Sequence, residues 1–318
     1  MTTACAPGKV ILFGEHAVVY GRPAIAVPVT QVQARAVVED APVGQGIVIH
    51  AADLHLQWRV GAASPADDTL QPMEATVRHT LERLSVQASL DIKLTVSSTV
   101  PIARGLGSGA AVSAAIVRAL AAHFGQTITP QEVSDLVYQS ERIYHGTPSG
   151  IDNTVVAFEQ PIYFVKGHAV QVLSVGRPLW LVIGDTGIAS PTRDVVADVR
   201  QSWQREPRRY ETLFDRIAAV VARAREAVAF GDAALLGHLM DENQELLEAI
   251  GVSSPELERL VSAARQAGAM GAKLCGAGRG GNMIALVAPE ETARVAAALR
   301  EAGAVNTIIS EVVQTRPA

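Results

Sequence analysis

A glycine-rich stretch about one third of the way along the chain carries the strongest chemical signal. Residues 101–111 read Pro-Ile-Ala-Arg-Gly-Leu-Gly-Ser-Gly-Ala-Ala, and an alanine-rich segment follows. Glycines let the backbone approach a ligand closely, and the first turn of a helix offers free N–H groups and a positive dipole end. This combination favours binding of a polyphosphate, the alternative being a turn that only starts a helix. The pattern is neither a Walker A loop nor GxGxxG, so it indicates neither a P-loop nor a Rossmann fold.

Two acidic residues, Glu141 and Asp152, form the second signal. Glu141 lies on a helix predicted from Pro130, at the edge of the face that carries Val133 and Val137. One carboxylate could hold Mg²⁺, which prefers carboxylate, water and phosphate oxygens, while the other accepts a proton from a substrate hydroxyl. The alternative is that both acids are ordinary surface charges or helix caps.

A lysine and an acid–histidine pair near the N-terminus form the third signal. Lys9 enters the apolar run 10–13, where an ammonium group is costly to bury unless a carboxylate or phosphate partners it. Glu15 and His16 follow Gly14 at the end of this predicted strand, a common position for site residues. The alternative is a lysine that extends to solvent, beside an exposed acid and histidine.

A fourth stretch, residues 273–282, lies between two predicted strands and reads Lys-Leu-Cys-Gly-Ala-Gly-Arg-Gly-Gly-Asn. It has too many glycines for a simple hairpin. Close approach to a ligand or to the first glycine loop would explain them.

Periodicity along the chain predicts the elements that position these residues. The predicted strands are 10–13, 24–29, 32–38, 47–51, 54–60, 90–96, 180–183, 272–275, 283–287 and 307–313. The predicted helices are 73–84, 110–124, 130–144, 192–231 with a break near Pro207, 255–267 and 289–302. In the last third, helices alternate with strands in the manner of helices packed on an antiparallel sheet, so the fold class is α+β. Gly176 and Pro178 interrupt the pattern and suggest two domains, 1–176 and 177–318.

Composition excludes several classes of function. The formal net charge of −5 argues against a nucleic-acid-binding protein, which would carry a basic face. The two cysteines, Cys5 and Cys275, are far apart and suggest neither a disulfide framework nor a zinc site. The N-terminus lacks the order of a secretory signal, and there is no apolar run of about 18 residues to span a membrane. We therefore expect a cytoplasmic protein.

Taken together, these motifs resemble those of the mevalonate kinase family within the GHMP kinase superfamily. Residues 6–26 resemble the first motif of the family, 101–111 its phosphate-binding motif and 273–282 its third motif. The segment 141–153 is similar to the one that carries the family's magnesium glutamate and catalytic aspartate. The resemblance implies an N-terminal domain with a left-handed βαβ crossover and a ferredoxin-like C-terminal domain.

The resemblance also implies roles for individual residues in ATP-dependent phosphorylation of mevalonate, a step of isoprenoid biosynthesis. Asp152 would accept the proton of the substrate hydroxyl, Lys9 would polarise that hydroxyl, and Glu141 would bind Mg²⁺. The ATP phosphates would be bound by Gly105, Leu106, Gly107, Ser108, Gly109, Ala110 and Ala111. Mevalonate would contact Glu15, His16, Ser149, Gly150, Thr192, Gly276, Ala277 and Gly278. A homodimer is the expected assembly.

Two positions depart from the family pattern. Gly109 replaces a serine whose hydroxyl binds Mg²⁺ in the family, so Ser108 or a water molecule is expected to replace that ligand. Arg279 stands where glycine is more usual, and its side chain either faces solvent or helps to bind phosphate.

Other functions remain as alternatives. Galactokinase is disfavoured because Ala17, and not threonine, follows the Glu-His pair, and homoserine kinase has a different N-terminal signature. Phosphomevalonate kinase, or a kinase for another hydroxyl of mevalonate, is the second candidate, although it would be expected to carry more basic residues. A catalytically inactive ATP sensor is disfavoured because Lys9, Glu141 and Asp152 are all present.

Overall fold

The structure, a computed structural model, describes residues 1–62, 70–86, 90–102, 104–145 and 148–313. The strands in these ranges are β1 (Thr2–Phe13), β2 (Ala24–Asp40), β3 (Ile47–Ala51), β4 (Leu56–Arg59), β5 (Ile92–Ser98), β6 (Ile162–Phe164), β7 (Gln171–Val172), β8 (Leu179–Asp185), β9 (Gly271–Cys275), β10 (Asn282–Val287) and β11 (Asn306–Val312). The helices are α1 (Gln71–Arg83), α2 (Ser108–His123), α3 (Pro130–His145), α4 (Ile151–Phe158), α5 (Thr192–Arg205), α6 (Pro207–Phe230), α7 (Ala233–Ile250), α8 (Pro255–Gln266) and α9 (Thr292–Glu301). Within the described ranges, no helix is both long enough and apolar enough to cross a lipid bilayer.

The chain forms two compact units. The first contains Met1–Gly8, Val32–Pro101 and Gly107–Glu159, and the second contains Lys9–Gln31, Ile102–Leu106 and Gln160–Ala318. These units do not follow a single cut in the chain, because β1 and β2 each continue from one unit into the other. The domain division into 1–176 and 177–318 stays a prediction.

The sheet of the first unit has a parallel pair at its centre. β5 pairs antiparallel with the second half of β2 and parallel with β3, and β3 pairs antiparallel with β4. Along the second half of β2, buried and more exposed residues alternate, as expected for a strand with one face on the core. Because β4 and α1 lie between β3 and β5 in the chain, this parallel pair forms a βαβ crossover. The left-handedness that the family resemblance implies stays a prediction.

Local sequence signals explain three of the four helices in this unit. Helices α1, α2 and α3 lie within two residues of the predicted bounds at each end. At the start of α3, the Thr129 hydroxyl accepts a hydrogen bond from the Glu132 N–H, and the Glu132 carboxylate accepts one from the Thr129 N–H. This reciprocal arrangement is a capping box, and it explains why the helix begins at Pro130 as predicted. Helix α4 was not predicted, because its eight residues follow Gly150 in a left-handed conformation (φ 94°) with no side-chain cap.

The second unit contains the ferredoxin-like arrangement that the family resemblance implied. Its four-stranded sheet has the order β11-β8-β10-β9, and every neighbouring pair is antiparallel. Helix α8 packs against β9 and β10, and α9 packs against β8 and β11. All residues of β9 and β10 are buried, which explains their nearly continuous apolar sequences.

The long helical region before α8 consists of three helices. Pro207 ends α5 and begins α6, as the sequence predicts, since a proline fits the first turn of a helix but not its interior. Helix α7 was missed, although its ends are marked in the sequence. The Asp232 carboxylate accepts a hydrogen bond of 3.0 Å from the Leu235 N–H at its start, and Gly251 has a left-handed conformation at its end.

An arginine on α2 stabilises the C-terminal end of α4. The Arg118 guanidinium donates hydrogen bonds to the carbonyl oxygens of Ala157 (2.9 Å) and Val156 (3.3 Å), and it forms an ion pair with Glu159. It also donates to the Cys5 carbonyl oxygen (3.0 Å) in β1. Because the last carbonyl groups of a helix have no partner within it, Arg118 supplies hydrogen bonds that α4 itself cannot make.

We expect Arg118→Met to lower the free energy of unfolding by about 1–3 kcal/mol, because it leaves partly buried carbonyl groups without donors. Glu159→Gln is the matched control and removes only the charge of a half-exposed partner, which should cost less than about 1 kcal/mol. Chemical denaturation of both variants measures the difference. Equal losses would contradict a role for Arg118 at the helix end.

Candidate active site

The first motif ends in a tight turn after β1. Gly14 has a φ of 100°, and a Cβ atom at this position would lie 2.6 Å from the Cα of Ala24, so only glycine fits. Glu15 and His16 follow it, and both are buried. His16 also has a positive φ (61°), an uncommon conformation for a residue with a side chain. The turn therefore directs an acid and a histidine into the interior of the second unit.

Glu15 forms a fully buried ion pair with Lys273 of β9. The Lys273 ammonium group donates to Glu15 Oε1 and to the Leu274 carbonyl oxygen (2.7 Å). Burial raises the pKa of Glu15, and the nearby charges of Lys273 and Lys9 oppose this rise. Glu15 Oε2 is buried and has no hydrogen-bond partner among the described residues. The carboxylate can therefore accept one further hydrogen bond.

His16 is held in one neutral form. Its Nε2 lies 2.8 Å from the Ala277 carbonyl oxygen, and burial lowers the pKa of His16 to about 4. A carbonyl oxygen can only accept a hydrogen bond, so Nε2 carries the proton and Nδ1 is an acceptor. The histidine is therefore uncharged near neutral pH, and it links the first motif to the glycine loop at 276–281.

A cysteine adds a third link between the same segments. The Cys275 thiol donates a hydrogen bond of 3.6 Å to the Ile11 carbonyl oxygen in β1. Burial raises the pKa of this thiol to about 11, so the sulfur stays protonated and is unsuited to nucleophilic chemistry. The role of Cys275 is therefore to pack β9 against β1.

The glycine loop between β9 and β10 has a backbone conformation that leaves no space for a side chain at Gly278. A Cβ atom at Gly278 would lie 2.0 Å from the Val252 carbonyl oxygen, and Gly278 has a φ of 83°. The Gly278 carbonyl oxygen accepts a hydrogen bond of 2.6 Å from the buried Ser190 hydroxyl. This bond connects the loop to the segment that ends in Thr192, an exposed residue at the first position of α5.

The first glycine loop contacts the second one in the same unit. A Cβ atom at Gly105 would lie 3.5 Å from the Cys275 carbonyl oxygen and 3.9 Å from the Cα of Gly276. The Leu106 carbonyl oxygen accepts a hydrogen bond of 2.9 Å from the backbone N–H of Lys9, whose residue is buried. Lys9, Gly105 and Gly276 therefore belong to one connected set of segments, as the sequence analysis expected for the two glycine loops.

In the first unit, Glu141 lies beside the start of α2. Glu141 is buried on α3, and a Cβ atom at Gly109 would lie 3.0 Å from its Oε1 atom. The carboxylate is therefore close to the first turn of α2, where the helix dipole favours negative charge. The helix begins at Ser108, directly after Gly107 with a φ of 74°.

The carboxylate, the Ser108 hydroxyl and the phosphates of a nucleotide are suitable ligands for Mg²⁺, which usually binds one or two carboxylates together with phosphate and water oxygens. Among the residues that the structure describes, no cluster of three or more His, Cys, Asp or Glu side chains could hold a metal ion without a nucleotide. The residues present thus fit a metal ion that arrives with its nucleotide.

Asp152 lies in the first turn of α4. It is half-buried, and Ser149 and Gly150 precede it, with the Ser149 hydroxyl accepting a hydrogen bond of 3.3 Å from the Ile151 N–H. The next residue, Asn153, is buried and donates to the Ser134 carbonyl oxygen (3.1 Å) and hydroxyl (2.9 Å) on α3. Asn153 therefore fixes the turn that carries Asp152, a role that the sequence did not reveal. Residues 146 and 147 of this segment lie outside the described residues.

Comparisons with known proteins agree with the fold and the motifs. A family model for the GHMP kinases N terminal domain matches residues 73–160, and a model for the GHMP kinases C terminal matches 217–305. The chain is 36% identical to a mevalonate kinase from Thermococcus sibiricus, covering 94% of this chain and 93% of that protein. It is 35% identical to one from Pyrococcus furiosus, with the same two coverages.

Solved structures give the same result. The crystal structure of L. major mevalonate kinase in complex with R-mevalonate is similar with a TM-score of 0.84 and 30% identity, covering 100% of this chain and 97% of that one. The similarity to these proteins extends over nearly the whole chain and includes both glycine loops. The chain belongs to the mevalonate kinase family of the GHMP kinases.

Proposed function

We propose that the chain transfers the γ-phosphoryl group of ATP to the primary hydroxyl of mevalonate and so forms 5-phosphomevalonate. The observation that carries this proposal is the 36% identity to a mevalonate kinase over 94% of the chain. The likeness to a mevalonate kinase crystallised with R-mevalonate supports the same substrate. The product places the reaction in isoprenoid precursor biosynthesis.

Asp152 and Lys9 act on the hydroxyl group in this proposal. Asp152 accepts its proton, while the Lys9 ammonium group orients and polarises it. A buried lysine suits this role, because positioning and charge neutralisation supply most of the rate enhancement in phosphoryl transfer.

The ATP phosphates are bound by the loop Gly105–Ala111, whose glycines at 105 and 107 have left-handed φ values that expose the backbone N–H groups. Mg²⁺ is held by Glu141, Ser108 and phosphate oxygens. The metal neutralises charge on the transferred group when it is bound. Because Gly109 has no side chain, the Glu141 carboxylate can approach the first turn of α2 more closely than a serine there would allow.

Mevalonate is bound by the neutral His16 and by Glu15, whose Oε2 atom still has capacity for one hydrogen bond from a hydroxyl group. The remaining contacts in the proposal come from Ser149, Gly150, Thr192, Gly276, Ala277 and Gly278. The Ser190–Gly278 hydrogen bond supports the presence of Thr192 in this set, because it ties the start of α5 to the glycine loop.

A cytoplasmic location is proposed from the cysteines, and the oligomeric state is proposed from the family resemblance. Both cysteines are free thiols, which suits the reducing cytoplasm. A homodimer is the proposed assembly. Phosphomevalonate kinase activity is the second candidate for the reaction.

A substrate panel tests the proposed function. We expect ATP consumption with mevalonate that stops when EDTA removes Mg²⁺, and no comparable turnover with phosphomevalonate, galactose or homoserine. Higher kcat/KM for phosphomevalonate would favour the second candidate. ATP binding without turnover of any of these compounds would contradict both.

We expect Asp152→Asn to lower kcat by about 10²- to 10⁴-fold, because the variant loses the proton acceptor. Its affinity for ATP should stay close to that of the wild type. Asp135→Asn, on an exposed position of α3 in the same unit, is the matched control and should keep full activity. Steady-state kinetics and ATP-binding calorimetry check both variants, and near wild-type kcat in Asp152→Asn would remove the proposed base.

The buried pair predicts a pH-dependent loss of stability in Lys273→Met. Without the ammonium group, the pKa of Glu15 rises further, so the folded protein holds a proton that the unfolded chain releases above its ordinary pKa of 4.5. The free energy of unfolding should therefore fall as pH rises above this value, and the fall should extend to higher pH than in the wild type because the folded-state pKa of Glu15 is higher in the variant. At neutral pH we expect a loss of about 3–5 kcal/mol.

The double variant Glu15→Gln/Lys273→Met removes both charges and should recover much of this loss and abolish its pH dependence. Arg223→Met, which breaks a more exposed pair with Glu242, is the control and should cost less than about 1 kcal/mol at any pH. Urea denaturation at several pH values measures these differences. A pH-independent loss in Lys273→Met would show that Glu15 is not the group responsible.

A further inference from the structure

Arg104 lies directly before the first glycine loop, and its backbone is anchored to the second one. The Asn282 side-chain amide donates a hydrogen bond to the Arg104 carbonyl oxygen. A Cβ atom at Gly281 would lie 3.0 Å from the same oxygen, so the two backbones are in close contact. The position of Arg104 relative to Gly105 and the loop before β10 is therefore fixed.

Neighbouring residues supply acceptors for only some of the hydrogen-bond donors of the Arg104 side chain. Its Nε atom lies 3.5 Å from Asp185 Oδ2, and 23% of the side chain is exposed. The Nη1 atom is buried and has no hydrogen-bond partner among the described residues. A buried donor of a charged group without an acceptor is costly, and such groups commonly mark a position where a ligand or ion supplies the acceptor.

Asp185 does not supply the missing hydrogen-bond acceptor for Arg104 Nη1. Its Oδ1 atom accepts a hydrogen bond of 2.8 Å from the Gly187 N–H, and Oδ2 faces the Nε edge of the arginine. The guanidinium group has five N–H donors in a fixed plane, so an acid on the Nε side leaves donors on the Nη side for another anion.

Arg279 in the second glycine loop provides a contrast. Its Nη1 atom donates to Asp198 Oδ2 (2.5 Å), its Nε to the Gly251 carbonyl oxygen (3.4 Å), and its backbone N–H to the Val252 carbonyl oxygen (2.8 Å). The side chain is 42% exposed. Arg279 therefore braces the loop against α5 and the end of α7.

We propose that Arg104 binds a phosphate oxygen of ATP through its Nη donors, while Asp185 orients the guanidinium group from the Nε side. This inference rests on the proposed function, in which the loop that begins at Gly105 binds the ATP phosphates. A tetrahedral phosphate matches the planar, fork-like arrangement of arginine donors. Asp185 is thus a positioning residue, and Arg104 contacts the nucleotide.

Binding calorimetry with ATP and with adenosine, which has no phosphate, tests the proposal. We expect Arg104→Gln to weaken ATP binding by about 10- to 100-fold, the range for loss of a charge-assisted hydrogen bond. Adenosine binding and the KM for mevalonate should stay unchanged. Arg104→Lys should show an intermediate loss for ATP, because it keeps the charge without the planar donors.

Two control variants separate binding from a purely structural role. Asp185→Asn keeps the acceptor for the Gly187 N–H and replaces the carboxylate oxygen that faces Arg104 with an uncharged amide NH₂. It leaves the guanidinium donors in place, so its loss of ATP affinity should be smaller than that of Arg104→Gln. Arg279→Gln should bind ATP as the wild type does. Melting temperatures show whether each variant is folded. If Arg104→Gln does not fold, the ATP affinity of Arg104→Lys tests the proposal instead.

Several results would overturn the inference. Unchanged ATP affinity in Arg104→Gln, equal losses for ATP and adenosine, or a loss confined to the KM for mevalonate would each exclude a phosphate contact. Because calorimetry needs no turnover, a failure of the proposed kinase activity is distinguishable from a failure of the Arg104 assignment. A protein that binds ATP through Arg104 but does not phosphorylate mevalonate would contradict the proposed kinase activity and leave the Arg104 assignment intact.

Discussion

The buried ion pair between Glu15 and Lys273 is the interaction on which the second unit depends. Taking a carboxylate and an ammonium group out of water costs several kcal/mol for each ion, and only their close contact and further hydrogen bonds offset this cost. The pair therefore tolerates little displacement of the end of β1 relative to β9. The His16–Ala277 hydrogen bond joins the same two segments, so the ion pair and this bond together position the glycine loop at 276–281.

The features that the sequence predicted are those determined by neighbours in the chain. The capping box at Thr129, the break at Pro207 and the strands β8 to β11 follow from local residue types and spacing. The ferredoxin-like arrangement came from the family resemblance, and the strand order β11-β8-β10-β9 confirmed it. The roles of the candidate site residues stay predictions, although the structure pairs Glu15 with Lys273, links His16 to the loop at 276–281 and brings Gly109 close to Glu141.

Contacts between distant residues could not be predicted. Lys273 was recognised only as the first residue of a glycine-rich motif, because its partner is 258 positions away in the chain. The predicted strands 24–29 and 32–38 proved to be one strand, β2, in which polar Thr30 and Gln31 continue the extended backbone. Helix α4 was missed because contacts with other helices stabilise it, and no local pattern shows them. Arg118 of α2 donates to its last carbonyl groups, and its own Asn153 donates to Ser134 of α3.

Burial also determines which groups in the second unit can change charge. The pKa of His16 is lowered to about 4 and that of Cys275 is raised to about 11, so both stay neutral between these values. A neutral His16 keeps its Nε2 proton on the Ala277 carbonyl oxygen, and a neutral Cys275 keeps its hydrogen bond to β1. The links between the first motif and the glycine loop are therefore constant across the physiological pH range. Any pH dependence of the reaction in that range must arise from groups other than these two, which act by holding the loop in place.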